Sequence, residues 1–213
     1  MVDERIADQI RYYRRRAPEY DVTAYGDLDQ VQPTISAAVD TLRPAERTLE
    51  LACGTGVWTQ HLTSRVESLV AVDAAPEALA LARRRAPSAM FVIADIFELV
   101  LRARFDTVFF AAWLSHVPMD RFAEFWSRVD SLVQGAGKVL FVDEALGERD
   151  KESFVAGERD IAERVMGDGS VHRLVKVYWS PGALQNELVT LGWDASVRQF
   201  DDRWLVGEAR PRR

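Results

Sequence analysis

The segment Leu49-Glu50-Leu51-Ala52-Cys53-Gly54-Thr55-Gly56 holds the densest chemical signal in the chain. An apolar run ends there in a tight turn, and Gly54 and Gly56 let the backbone approach a ligand with no Cβ in the way. Asp73 closes the next apolar run, where a carboxylate can accept both hydroxyls of a ribose, and Asp95 follows the run after it. The glycine pair alone is weak evidence, but with two acids at successive strand ends it points to a nucleoside-bearing ligand. A nicotinamide fingerprint needs a third glycine where Thr59 stands, and no Gly-Lys-Ser/Thr follows to make a P-loop.

His116 is one of three histidines and follows the fourth apolar run, at the carboxyl edge where open α/β sheets bind ligands. A neutral imidazole there could take a proton from a hydroxyl acceptor, or it could pack and orient an acceptor that is already anionic. Arg173 and Lys176 lie on a strand-like stretch and face opposite sides if it is regular. They suit either an anionic ligand, which arginine can grip bidentately, or a solvated strand. The arginine clusters at 14–16, 83–85 and 210–213 lack interleaved aromatics and read as solvated helix faces and a tail. Asp201-Asp202 reads as a hairpin turn, and no acidic cluster points to a metal.

Five short apolar runs must position these groups: 48–51, 69–73, 90–94, 105–110 and 138–143. Each is nearly continuous, as parallel strands covered on both faces are. Pro76 opens one intervening helix at its N1 position. Asp120 is the expected cap of another, which carries Phe122, Phe125, Trp126, Val129, Leu132 and Val133 at helical spacing and stops at 135–137. Five strand–helix units imply a doubly wound parallel sheet. Residues 3–20 form an amphipathic helix with Ile6, Ile10, Tyr13, Ala17 and Tyr20 on one face. The polar stretch 144–170 reads as an insertion with one helix, and 171–179 as an exposed strand. A Pro181-led helix to Leu191 and an antiparallel hairpin, 194–200 with 203–209, close the chain.

The whole composition agrees with such a domain. At 213 residues the chain has the length of one α/β domain; 48% of it is hydrophobic and 28% charged, as in soluble globular proteins. A net charge of −6 gives no general attraction to nucleic acid or an anionic membrane. The single Cys53 excludes an internal disulfide and fits a reducing cytoplasm. No run is long enough to span a membrane, and the charged N-terminal segment has no signal-peptide core. Secreted, membrane, fibrous and disordered classes are excluded.

The motifs ELACGTG, AVDAA, IADIFEL, FDTVFFAAWLSHV and GAGKVLFVDE resemble those of the class I S-adenosyl-L-methionine (SAM) dependent methyltransferases, over nearly the whole chain. Within them, 12–21, 113–118, 120–126, 173–181 and 191–193 resemble the small phosphonate O-methyltransferases of dehydrophos-type antibiotic biosynthesis. The resemblance implies a Rossmann-like, mostly parallel seven-stranded sheet in one domain, 1–213, with a lid helix in 1–28 and a cap insertion at 144–180. It implies SAM as methyl donor and S-adenosyl-L-homocysteine (SAH) as product. Gly54 and Gly56 would line the methionine portion, with Glu50 ordering its ammonium group; Ala52 stands where the family more often has glycine. Asp73 would hold the ribose, Asp95 and the Ile96 backbone would read the adenine edge, and Ala111 would offer a carbonyl beside the sulfonium. Tyr13 and Tyr20 would cover the cofactor, and Trp58 and Ala74 belong to the same implied site. Tyr25, Trp113, His116, Arg173 and Lys176 fall on the acceptor side, with His116 as base or orienter.

The expected reaction is transfer of a methyl group to an oxygen of a small anionic metabolite by in-line displacement, by a monomer or homodimer with no nucleic-acid or membrane partner. Other small-molecule O-, N- or C-methylation, cyclisation of SAM without an acceptor, and a non-catalytic SAM-binding module remain open alternatives.

Overall fold

The computed structural model describes residues 3–212. The first two residues of the expected 1–28 lid and the last of the 210–213 arginine cluster lie outside the described residues.

Along the chain, α1 (Glu4–Arg16) and α2 (Tyr20–Tyr25) are joined by a 3-10 turn, and α3 (Leu28–Leu42) leads into β1 (Arg47–Leu51). The alternating unit continues with α4 (Thr59–Thr63), β2 (Ser68–Asp73), α5 (Pro76–Arg85), β3 (Met90–Ile93), β4 (Phe105–Ala111), α6 (Phe122–Leu132) and β5 (Val133–Glu144). A two-stranded excursion, β6 (Ile161–Val165) and β7 (Val171–Val175), precedes α7 (Pro181–Thr190), β8 (Trp193–Gln199) and β9 (Trp204–Pro211).

Seven strands form one sheet in the order β3-β2-β1-β4-β5-β9-β8. The first five are parallel, and β9 runs antiparallel between β5 and β8. The order reverses between β1 and β4, so the loops after these two strands border a crevice. Alternate residues of the central strands go to opposite faces. Leu49, Leu51, Val108, Phe110, Val139 and Phe141 pack with Phe125, Trp126, Leu184 and Leu188 of α6 and α7. Phe109, Leu140 and Val142 pack on the other side with Ile35, Val39 and Leu42 of α3. Gly207 sits opposite Phe141 in the register, and a Cβ there would lie 2.0 Å from the ring.

Several elements depart from the sequence expectations. The first helix ends at Arg16 and a Pro18-bearing 3-10 turn separates it from α2. Asp120 does not cap α6; its carboxylate accepts both terminal nitrogens of Arg5, and the helix starts at Phe122 without a side-chain cap. That helix stops at Leu132, because β5 already begins at Val133. The insertion expected to hold one helix carries a 3-10 segment, Leu146–Lys151, and the β6–β7 hairpin. No helix among the described residues is long and apolar enough to cross a membrane.

Candidate active site

The turn after β1 carries its own strain. Ala52 and Gly54 both have φ of 54°, and Gly56 has φ of 83°. For Ala52 this left-handed conformation costs roughly 1 kcal/mol, and glycine would relieve it. At Gly54 nothing lies within 4 Å of where a Cβ would be, so its bare face forms a cradle open to the cleft. Gly56 is different: a Cβ would meet the Ala82 Cα at 2.8 Å. Its place is against α5, and it does not reach the cleft expected of it from sequence.

Asp73 locks this turn to β2. Its Oδ2 accepts the Gly54 N–H at 2.8 Å and its Oδ1 accepts the Ala75 N–H at 2.8 Å. Burial raises its pKa while these backbone donors oppose the shift. Each oxygen still has a lone pair for a ligand hydroxyl. Asp95 accepts the Phe97 N–H at 2.9 Å, which turns the chain after β3. Arg85 clamps the turn from outside, donating to the Thr55 carbonyl and to Asp21 on α2, both at 2.7 Å.

A narrow cleft opens above these strand ends. Tyr13, Tyr20, Ala52, Gly54, Asp73, Ala74, Asp95, Ile96, Ala111, Trp113 and His116 all line it, as do Gln9, Thr55 and Ala112, which the sequence reading passed over. A second, polar cavity of about 520 Å³ is bordered by β6 and by Lys176 just after β7. The two share one wall made of Tyr13, Tyr20, Ala112 and His116.

His116 stands at the centre of that wall and is buried. Its Nδ1 lies 2.9 Å from the Val175 carbonyl of β7, and its Nε2 lies 2.8 Å from the Tyr13 hydroxyl of α1. A carbonyl only accepts, so Nδ1 carries the hydrogen and Nε2 accepts from Tyr13. Burial, reinforced by the positive charge of Lys176, holds the imidazole pKa well below its usual value. Burial likewise raises the Tyr13 and Tyr20 hydroxyl pKa values.

The larger cavity carries the charge. Lys176 is 2% exposed, and its Nζ donates to Ser115 Oγ at 3.2 Å and pairs with Glu144. Burial works to raise the Glu144 pKa, but the charge and hydrogen bond of Lys176 together with the charges of Arg164 and Arg203 lower it. Arg164 pairs with Glu152, and Tyr178 reaches both glutamates. Arg16, assigned from sequence to a solvated face, is 8% exposed and lines this cavity, as does Arg203. Its neighbours do behave as surface groups: Arg14 pairs with Glu77 and Arg15 with Asp168.

Besides Gly56, four expected residues lie elsewhere. Arg173 is exposed on β7 and pairs with Glu158, away from both cavities, so it cannot clamp a ligand in either. Trp58 and Tyr25 are buried in the core against Trp204, where the indole N–H donates to the Tyr25 hydroxyl at 3.1 Å. Burial pushes the Tyr25 hydroxyl pKa up to about 12. Glu50 lies under the turn, 2% exposed, with Oε2 unpartnered; burial pushes its pKa up to about 8. No group of three or more His, Cys, Asp or Glu among the described residues could hold a metal ion.

Known proteins share this fold. A family model described as a methyltransferase domain matches residues 48–137. The chain is similar to DhpI in its complex with SAH, at 36% identity and a TM-score of 0.85, with 97% of each chain covered. The DhpI–SAM–HEP complex gives 35% identity and a TM-score of 0.86 over 99% of this chain and 100% of that one. An S-adenosylmethionine-dependent methyltransferase from Clostridium acetobutylicum, 15% identical, shares the fold at a TM-score of 0.65, with 93% and 98% covered. No curated protein matches. With identity above one third over nearly its full length and the strand-end turn and acids in place, the chain belongs to the class I SAM-dependent methyltransferases.

Proposed function

We propose that this protein transfers the methyl group of SAM to an oxygen of a small anionic metabolite, a phosphonate or a carboxylate, and releases SAH. The observation that carries the reading is the shared wall: the cleft over the strand ends and a charged cavity, lined by five cations and five carboxylates, meet across Tyr13, Tyr20, Ala112 and His116. Residues 1–28 and 144–180 then serve as lid and cap of one domain, 1–213, working in the cytoplasm, where the free Cys53 stays reduced.

The donor, when bound, supplies a methyl carbon made electrophilic by its sulfonium. The chain's own residues do the rest. Asp73 accepts the ribose hydroxyls, Asp95 and the Ile96 backbone read the adenine edge, and the Gly54 cradle takes the methionine portion. Ala111 presents its carbonyl beside the sulfonium. Lys176 and Ser115 hold the acceptor oxyanion at the wall. His116 keeps Tyr13 in place and accepts no proton from an acceptor that is already ionised. Tyr13 and Tyr20 exclude water. Alignment and dehydration therefore provide most of the acceleration.

Mass spectrometry of reactions with SAM, first without an acceptor and then with phosphonates, carboxylates, phenols and amines, tests this reading. The expected result is a phosphonate or carboxylate that gains one methyl group while SAH appears in step. SAM consumed in the acceptor-free reaction would overturn it in favour of a self-reaction, and methylation confined to amines would overturn the oxygen assignment.

A further inference from the structure

We infer that the natural acceptor carries a second anionic group, held by Arg16 and Arg203 in the larger cavity; the inference deepens the proposed function and rests on an anionic acceptor occupying that cavity. Five cations line the cavity, and three are neutralised in place: Lys176 by Glu144, Arg164 by Glu152 and Lys151 by Glu148. Arg16 and Arg203 have no carboxylate partner among the described residues. Arg16 uses one donor, Nε to Thr23 Oγ1 at 3.0 Å, and its two terminal nitrogens meet no protein acceptor. Arg203 donates one terminal nitrogen to the Ala24 carbonyl, and its Nε is buried with no acceptor.

Aromatic rings fix both guanidinium groups on one side of the cavity. The Arg16 Cζ lies 5.0 Å from the Tyr20 ring centroid, Tyr20 lies 6.0 Å from Tyr25, and the Arg203 Cζ lies 5.5 Å from Tyr25 and 4.6 Å from Trp204. Ring faces attract a cation, but they satisfy none of its in-plane N–H donors. The Arg203 charge reaches Glu144 without forming a salt bridge, and desolvated guanidinium donors left without an acceptor are costly to maintain, which a bound anion would repay. The two remaining lining carboxylates, Glu19 and Glu163, pair with neither arginine, and Glu163 is exposed on β6. The reacting oxyanion belongs at Lys176 beside the shared wall, so Arg16 and Arg203 are left for a different group on the same molecule. The cavity has room for it: about 520 Å³ lies within the roughly 300–1,000 Å³ of ordinary small-ligand pockets.

Calorimetric titration of SAH-saturated protein with ethylphosphonate, 3-phosphonopropionate and 4-phosphonobutyrate tests the inference without turnover. One of the two carboxylated acids is expected to bind about 10- to 100-fold more tightly than ethylphosphonate, the scale of a charge-assisted hydrogen-bonded pair. That preference should fall to near one in Arg16→Gln and Arg203→Gln, survive in part in Arg203→Lys, and stay intact in the exposed control Arg173→Gln. SAH titration of each variant verifies that the cofactor cleft is intact. A preference near one in the unsubstituted protein, no binding of any of the three acids, or a full preference in both glutamine variants would overturn the inference. A preference that behaves as expected while no phosphonate or carboxylate gains a methyl group would leave the two-anion seat standing and remove only the assignment of the acceptor atom.

Discussion

His116 shows how two weak sequence signals become one strong structural one. Both it and Tyr13 stood out from sequence, but they are 103 residues apart, and nothing local announces that one hydroxyl would satisfy the other's lone pair at 2.8 Å. Arg16 escaped for the opposite reason. It sits in a run of three arginines whose other two are surface groups, and only its turn toward Tyr12 and Tyr20 separates it. Replacing Tyr13 by Phe leaves a buried imidazole nitrogen without a donor, so a loss of about 1–3 kcal/mol in unfolding free energy is expected by denaturant titration. With an ionised acceptor, Tyr13→Phe should reduce kcat about tenfold, more than it changes KM, through misplacement alone, and leave the pH profile unmoved. An acid limb that disappears in Tyr13→Phe would instead show that the pair accepts a proton during turnover.

Between the sheet and its coverings, α1 buries Ile6, Gln9 and Tyr12 and is tied down at its surface by charge. Arg5 reaches Asp120 beyond β4, Arg14 reaches Glu77 on α5, and Arg15 reaches Asp168 at the tip of the β6–β7 hairpin. Exposed pairs of this kind contribute at most about 1 kcal/mol each and weaken with salt. SAH dissociation measured by stopped flow should therefore accelerate severalfold between low and high ionic strength, and Arg14→Glu should accelerate it at low salt and flatten the dependence. A dissociation rate indifferent to both would mean that α1 does not gate the cleft. The first four parallel strands were legible to within a residue at each end, because strands buried on both faces leave unbroken apolar runs. By contrast, β5 starts at Val133, five residues before its expected start, through the polar stretch 134–138. Two other elements were not legible. In α3 the stripe Ile35, Ala38, Val39 and Leu42 is regular, but Pro33 interrupts the helical pattern ahead of it. The strand β6 alternates Ala162 inward with exposed Glu163, and its polarity hid it, since half of its surface faces a charged cavity and solvent.

For the molecule as a whole, two buried titratable groups set opposing limits on stability. Glu50 has its pKa raised by burial to about 8 in the folded chain from 4.5. The folded state therefore binds its proton more tightly than the unfolded state does, and the stabilisation present below pH 4.5 is lost as pH rises toward 8. His116 has the reverse sign: burial lowers its folded pKa, so its contribution is present above its ordinary value near 6.5 and is lost on acidification. The ligand-free protein should be most stable in mildly acidic solution, with Tm falling on both sides. Glu50→Gln keeps the shape but removes the titration, so it should raise Tm at pH 8, leave it nearly unchanged near pH 4.5, and flatten the alkaline limb by on the order of a few kcal/mol. The same carboxylate lies beneath the Ala52–Gly54 turn, where an ammonium group on a bound ligand would favour its charged form. Cofactor affinity should then rise with pH across the same window in the unsubstituted protein and lose that dependence in Glu50→Gln. Parallel Tm profiles for the two proteins would show that Glu50 is already ionised in the fold. Its strain would then have to be relieved by a neighbour other than the ligand, with Thr59, whose buried hydroxyl has no partner, the first candidate.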